Sequence, residues 1–243
     1  MTILSVNVNK IALLRNSRGR DFPSVVGFVE QLIDLGVRGI TVHPRPDERH
    51  ITRRDVFDLT ELLQGKPNIE FNMEGYPSQD FLSLVTEVVP DQCTLVPDKP
   101  DQLTSDHGWD IAANKDHLLA VLNTLRDAGI RSSVFIDPSA EAVADIPSVG
   151  ADRIELYTEE YASQFGGSDQ EEVFARYASA AAKAHELGIG VNAGHDLDLQ
   201  NLSRFLEIPN ILEVSIGHAL VVESLQQGVS SIVSQYLDIV GCG

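Results

Sequence analysis

The chain has 243 residues, a net charge of -18 and 43% hydrophobic residues, the profile of a globular protein with a sizeable core. The acidity argues against nucleic acid or anionic membrane as a partner, since both require a basic footprint. No apolar run approaches the roughly 18–20 residues of a membrane span, and two cysteines, Cys93 and Cys242, cannot form a disulfide framework. The N-terminus reads as a strand rather than a signal peptide, so the expected compartment is the cytoplasm.

In chain order, eight β-type runs are expected: 4–8, 39–42, 69–72, 92–96, 132–136, 153–156, 190–192 and 213–216. Amphipathic stretches separate them. Residues 53–63 place Val56, Phe57, Leu59, Leu62 and Leu63 at helical spacing. Residues 169–187 read as a helix opened by a capping box, Ser168 with Glu171. Leu35-Gly36-Val37, Ala128-Gly129-Ile130, Val149-Gly150-Ala151 and Leu187-Gly188-Ile189 each join a helix-like pattern to a β-like run. A helix ending on a left-handed glycine and feeding a strand has that form. Eight such β/α units in about 240 residues predict a single (β/α)8 TIM barrel over residues 1–243, with additional helices. Segments 97–111 and 158–168 read as long loops at one end of that barrel.

Charge along the chain is uneven. Residues 1–54 hold nine Lys and Arg and five acids, a balance of +4. The remainder holds nine basic and 31 acidic groups, a balance of -22. The basic quarter contains His43, Arg45, Arg49 and His50, just past a short strand buried on both faces. Two imidazoles and two guanidiniums there suit anion binding combined with acid–base chemistry.

A barrel keeps its chemistry at the strand C-termini. Asn7, Asn9, His43, Arg45, Glu70, Asn72, Thr94, Asp137, Glu155, Asn192, His195, Gly217 and His218 close the predicted strands. Glu70 and Glu155 each lie between apolar residues, where burial would raise a carboxyl pKa toward neutrality. The segments ending in His195 and His218 follow the seventh and eighth strands, where such barrels commonly bind phosphate. A metal site is disfavoured, because Arg45 and Arg49 would oppose a dication.

At these residues the chain resembles the pyridoxine 5'-phosphate synthase family. The resemblance is carried by Asn7 through Arg18-Gly19, Gly39-Ile40-Thr41-Val42-His43 with Arg45, Arg49-His50-Ile51 and Asn68-Ile69-Glu70. It continues through Leu95-Val96-Pro97, Phe135-Ile136-Asp137, Ile154-Glu155, Val191-Asn192-Ala193-Gly194-His195 and Ile216-Gly217-His218-Ala219. It implies a homo-octamer built from dimers, acting without metal or organic cofactor. It implies the joining of 1-deoxy-D-xylulose 5-phosphate to 3-amino-2-oxopropyl phosphate, with release of phosphate and water. His43, Glu70 and His195 would be acid–base residues, and Glu155 would support charged intermediates. Arg45, His50 and Thr104 would hold the ketose phosphate; Asn7, Arg18, Gly217 and His218 would hold the aminoketone phosphate.

Four positions depart from the family pattern. Asn9-Lys10 stands where Asp-His is usual, Asp196 where Gly is usual and Tyr157 where His is common. Asn9, Lys10 and Asp196 therefore count as substrate-contacting positions whose details differ. Two other functions remain compatible with the residues: a phosphosugar isomerase or epimerase, and a non-catalytic binder of phosphorylated ligands.

Overall fold

The computed structural model describes residues 2–98 and 107–241. Eight parallel strands close into a barrel in chain order, with β8 pairing back onto β1. They are β1 (Ile3–Asn7), β2 (Gly39–Val42), β3 (Glu70–Gly75), β4 (Gln92–Leu95), β5 (Arg131–Ile136), β6 (Arg153–Tyr157), β7 (Gly190–Gly194) and β8 (Ile211–Ile216). Among the described residues, eleven α-helices surround them: α1 (Asn9–Asn16), α2 (Val25–Asp34), α3 (Arg53–Leu63), α4 (Gln79–Val88), α5 (Ile111–Asp127), α6 (Ala140–Ala144), α7 (Glu159–Gln164), α8 (Gln170–Glu186), α9 (Leu202–Phe205), α10 (His218–Gln227) and α11 (Val229–Gly241).

Alternation along each strand divides the barrel into two environments. Leu4, Val6, Ile40, Val42, Phe71, Met73, Cys93, Leu95, Ile154, Leu156, Val191 and Ala193 are buried in the apolar core that includes the helices' inner faces. Burial holds the Cys93 thiol well above its ordinary pKa, so it behaves as an apolar side chain. The alternate set meets across the barrel axis instead. There, Ser5 bonds Thr41, the Asn72 amide donates to Thr41, and the Thr94 hydroxyl donates to Asn72. Barrel interiors are usually filled by Val, Ile and Leu; this one is lined with hydrogen-bonding groups.

The helix starts and stops follow local chemistry. Thr52 and Asp55 close a reciprocal capping box on α3, worth about 1 kcal/mol. Gly36, Gly129, Gly150 and Gly188 all have φ between 72° and 101°, as their helix-to-strand junctions require. The box expected at Ser168 does not form: Asp169 is the N-cap, and the Ser168 hydroxyl bonds the Asp169 carboxylate instead. Segment 158–168, expected as a loop, contains helix α7, whose Tyr161 is buried against Phe205 and Tyr177. Within segment 97–111, residues 107–110 are pinned to the barrel. Trp109 donates its indole N–H to the Leu95 carbonyl and its backbone N–H to the Phe135 carbonyl.

Candidate active site

The strand exits hold one another in place. Val8 donates to the Thr41 carbonyl, and the Asn9 side chain accepts the His43 backbone N–H at 2.9 Å. The Asn9 N–H donates to Asn7 at 3.1 Å, and the Asn7 amide reaches Glu74 at 3.3 Å. Asn9 therefore fixes the backbone of the first imidazole. A neutral amide suffices for that task, so the departure at position 9 is accommodated.

The structure places Glu70 and Glu74 at different levels of β3. The strand does not end at residue 72; it begins at Glu70 and runs to Gly75. Glu70 pairs in register with Gly39, at the start of β2 and four residues before His43. At roughly 3.3 Å per residue, that puts Glu70 about 13 Å from the mouth. Its carboxylate is held by Arg131 at 2.7 and 3.3 Å. Glu74 lies at the far end of the strand, buried, facing Asn7. The sequence contains the signal twice, as Asn68-Ile69-Glu70 and as Asn72-Met73-Glu74. The second copy is the one at the mouth.

Electrostatic interactions link His43 with His195 and Glu74 with Glu155, and Asp98 acts on both Glu74 and His195. Glu155 is 2% exposed, and its Oε2 has no hydrogen-bond partner among the described residues. A Cβ on Gly194 would lie 2.5 Å from Glu155 Oε1, so glycine at that position makes room for the carboxylate. Burial, then repulsion from Glu213, raises the Glu155 pKa to about 8. Glu74 is also raised well above the usual carboxylate range, first by burial, then by Glu155 and Glu213. The imidazoles move the opposite way. Burial, then the Arg45 charge, holds His43 well below its ordinary value, and burial lowers His195. Burial thus favours the uncharged form of each group, imidazoles able to accept protons and carboxyls able to donate them.

His195 lies on a strained turn. His195 and Asp196 have φ of 70° and 49°, a backbone region costly for non-glycine residues. The Thr158 hydroxyl holds the Gly194 and His195 carbonyls, and the Asn201 amide donates to the Asp196 carbonyl at 3.1 Å. The His195 ring packs against Phe135 and Tyr157, with centroids 5.5 and 5.6 Å away. Asp196 itself is exposed, and its charge acts on His195 from the solvent side.

Anion-binding groups gather beside the β2 exit. Arg45, 5% exposed, bonds Asp98 at 2.9 Å. His50 accepts the Ile51 N–H on Nδ1, which leaves the Nε2–H of the neutral ring to donate. Burial, then Arg49 and Arg45, lowers the His50 pKa to about 4, so that ring is neutral. Lys10 acts electrostatically on both His50 and His195 and stands near both. Arg15 and Asn16, not singled out from the sequence, grip this loop from the end of α1. Asn16 donates to the Arg49 and His50 carbonyls, while Arg15 forms a buried pair with Asp55. Both lie within the Asn7-to-Arg18 segment that carries the family resemblance.

The remaining expected residues divide between the mouth and the surface. Gly217 packs tightly on Asn7, where a Cβ would lie 3.0 Å away. His218 opens α10 and is exposed. Arg18 is exposed on the turn after α1, with no contact to the mouth among the described residues. Thr104 lies outside the described residues. A cavity of about 370 Å3 opens beside the β2 and β3 exits, lined by His43, Arg45, Tyr76, Phe81, Leu84 and Asp98 among others.

The family model for pyridoxal phosphate biosynthesis protein PdxJ matches residues 4–241. The chain belongs to that family. A pyridoxine 5'-phosphate synthase of Bacteroides fragilis is 52% identical over 237 residues, covering 97% of this chain and 98% of that one. The synthase of Porphyromonas gingivalis is 49% identical over 239 residues, covering 98% of each. Among solved structures, a mutant tryptophan synthase α-subunit from Pyrococcus furiosus superposes with a TM-score of 0.64 at 14% identity, over 99% and 98% of the two chains. Thiamine phosphate pyrophosphorylase from the same organism gives 0.61 at 12%, over 99% and 95%. At such identities these two likenesses concern the fold alone. The PdxJ family's place in vitamin B6 synthesis concerns the chemistry.

Proposed function

We propose that this chain is an enzyme of vitamin B6 biosynthesis, joining 1-deoxy-D-xylulose 5-phosphate to 3-amino-2-oxopropyl phosphate to form pyridoxine 5'-phosphate, phosphate and water. The observation that carries the reading is the set of titratable side chains that one barrel holds out of water, His43, Glu74 and Glu155 buried and His195 packed on Phe135 and Tyr157, with the carboxyl pKa values raised and the imidazole values lowered. The substrate amine is the nucleophile toward the ketone, so the protein need not supply a catalytic lysine. What it must supply is repeated proton transfer for imine formation, enolisation, loss of phosphate and ring closure.

In this reading His43 and His195 accept protons as neutral imidazoles. Glu74 and Glu155 return protons to departing oxygens, and in ionised form stabilise cationic nitrogen. Glu74 takes the role first assigned to Glu70. Arg45, His50 and Lys10 supply charge and N–H donors to the ketose phosphate. Asn7 with the opening turn of α10 at Gly217 and His218 supplies donors to the second phosphate. The family match over nearly the whole length supports residues 1–243 acting as one catalytic unit. Low cysteine content supports a cytoplasmic setting, and the family resemblance supports a homo-octamer, which mass photometry would measure directly.

Incubating the purified protein with both phosphates tests the reaction. Pyridine absorbance should rise together with released inorganic phosphate and should require both substrates. Proton exchange into one phosphosugar alone, without pyridine formation, would establish an isomerase instead.

A further inference from the structure

Asp98 follows the β4 exit, and neither the composition nor the strand pattern singled it out. It is 3% exposed, lines the cavity beside His43, and gives one carboxylate oxygen, Oδ2, to Arg45 at 2.9 Å. The other oxygen, Oδ1, is buried and receives no hydrogen bond from any described residue. An ionised carboxylate accepts through both oxygens, and leaving one dry and unmet costs on the order of 1–3 kcal/mol. Asp98 also acts electrostatically on His195 and Glu74. A buried acceptor beside a phosphate-seeking guanidinium fits a ligand that carries a hydroxyl donor near a phosphate.

We propose that Asp98 is a specificity-determining residue: Oδ2 orients the Arg45 guanidinium toward the ketose phosphate group, and Oδ1 accepts a hydrogen bond from a secondary hydroxyl of the same molecule. This rests on the ketose phosphate assignment above. It predicts that the enzyme distinguishes a hydroxylated chain from a bare one of equal length, and that the distinction disappears with the Asp98 carboxylate.

The test is calorimetric binding of three ligands: inorganic phosphate, 1-deoxy-D-xylulose 5-phosphate, and 4-oxopentyl phosphate, which keeps ketone and phosphate but lacks both secondary hydroxyls. The unmutated protein should bind the ketose phosphate at least about tenfold more tightly than the deoxygenated analogue, the scale of a hydrogen bond to a charged group. In Asp98→Asn the amide oxygen can still accept from Arg45, while its NH2 replaces the second acceptor with a donor. Affinity for inorganic phosphate should stay within about threefold, and the preference for the hydroxylated ligand should collapse to near one. A merely structural role would weaken all three ligands alike, and that outcome overturns the proposal. A preference near one in the unmutated protein overturns it without any variant. If thermal melting shows Asp98→Asn unfolded, Asp98→Ser replaces it; a preference retained there also overturns it. Hydroxyl-dependent binding without pyridine formation would sink the synthase reading and leave Asp98 standing. Pyridine formation without hydroxyl dependence would do the reverse.

Discussion

The two ends of the barrel contain similar residues and use them differently. At the strand N-termini, Glu70 is bonded to Arg131, Glu213 meets Arg153 and Gln92 at 3.5 Å, and Gln92 joins Asn192 and Arg131. Glu70 is paired there with Arg131, whereas Glu213 keeps one buried oxygen without a partner among the described residues, and burial, then Glu70, raises its pKa to about 7. At the strand C-termini, Glu74 has one 3.3 Å contact with an amide, and Glu155 has a buried oxygen with no partner. Guanidiniums accompany the carboxylates at the N-terminal end, whereas at the mouth Glu74 and Glu155 have no salt-bridge partner among the described residues and burial is the first cause of their raised pKa values.

The sharpest way to break this contrast is to neutralise one carboxyl at each end. Glu74→Gln should lower kcat at least about a hundredfold, as expected for loss of a general acid or base, with melting temperature held or raised. Glu70→Gln should leave kcat within a few-fold and cost about 1 kcal/mol of stability, because Arg131 loses a partly exposed partner. Equal kinetic effects in the two variants would erase the distinction between the ends.

Next in size, His195→Asn and His43→Asn should each lower kcat by about a hundredfold in steady-state assays. Single-turnover measurements should show the loss in chemistry rather than in product release. A variant with undiminished turnover would remove its imidazole from the mechanism.

Arg45→Ala should weaken ketose-phosphate binding by about 1.5–3 kcal/mol, read by calorimetry, with smaller changes for the aminoketone phosphate. A change below about 0.5 kcal/mol, the size of an ordinary surface substitution, would place the phosphate elsewhere.

A further prediction concerns stability and pH. Glu155 has a native pKa of about 8, above the ordinary value of 4.5 it regains on unfolding. Between those values the native state retains a proton that the unfolded state has released. Its contribution is therefore complete below about pH 4.5 and declines as pH rises through 8. Glu155→Gln should remove that decline, so its melting temperature relative to the parent should rise between pH 5 and pH 8.5. A pH-independent difference would mean the carboxyl is ionised throughout.

Legibility in the sequence followed how local each cause was. The helix-to-strand junctions at Gly36, Gly129, Gly150 and Gly188 could be read because a left-handed helix end is decided within a few residues. Helix α3 matched its expected span because the apolar spacing and the Thr52–Asp55 cap act inside it. The level of Glu70 along the barrel could not be read because the residue pattern does not show where β3 starts and ends. Asn68-Ile69-Glu70 and Asn72-Met73-Glu74 share a pattern, and only the pairing of β3 with β2 shows which glutamate reaches the mouth. Asp98 was invisible for a related reason: its role comes from Arg45, 53 positions earlier in the chain.

Sequence alone determined the alternation of eight strands with helices, the basic neighbourhood around Arg45 and His50, and the residue types available for proton transfer. Tertiary structure decided which of those residues meet. Strand register fixes how far along the barrel axis each side chain stands, and closure brings β1, β3 and β6 around one interior. A carboxyl's environment, and hence its pKa, depends on that axial level more than on its neighbours in the chain.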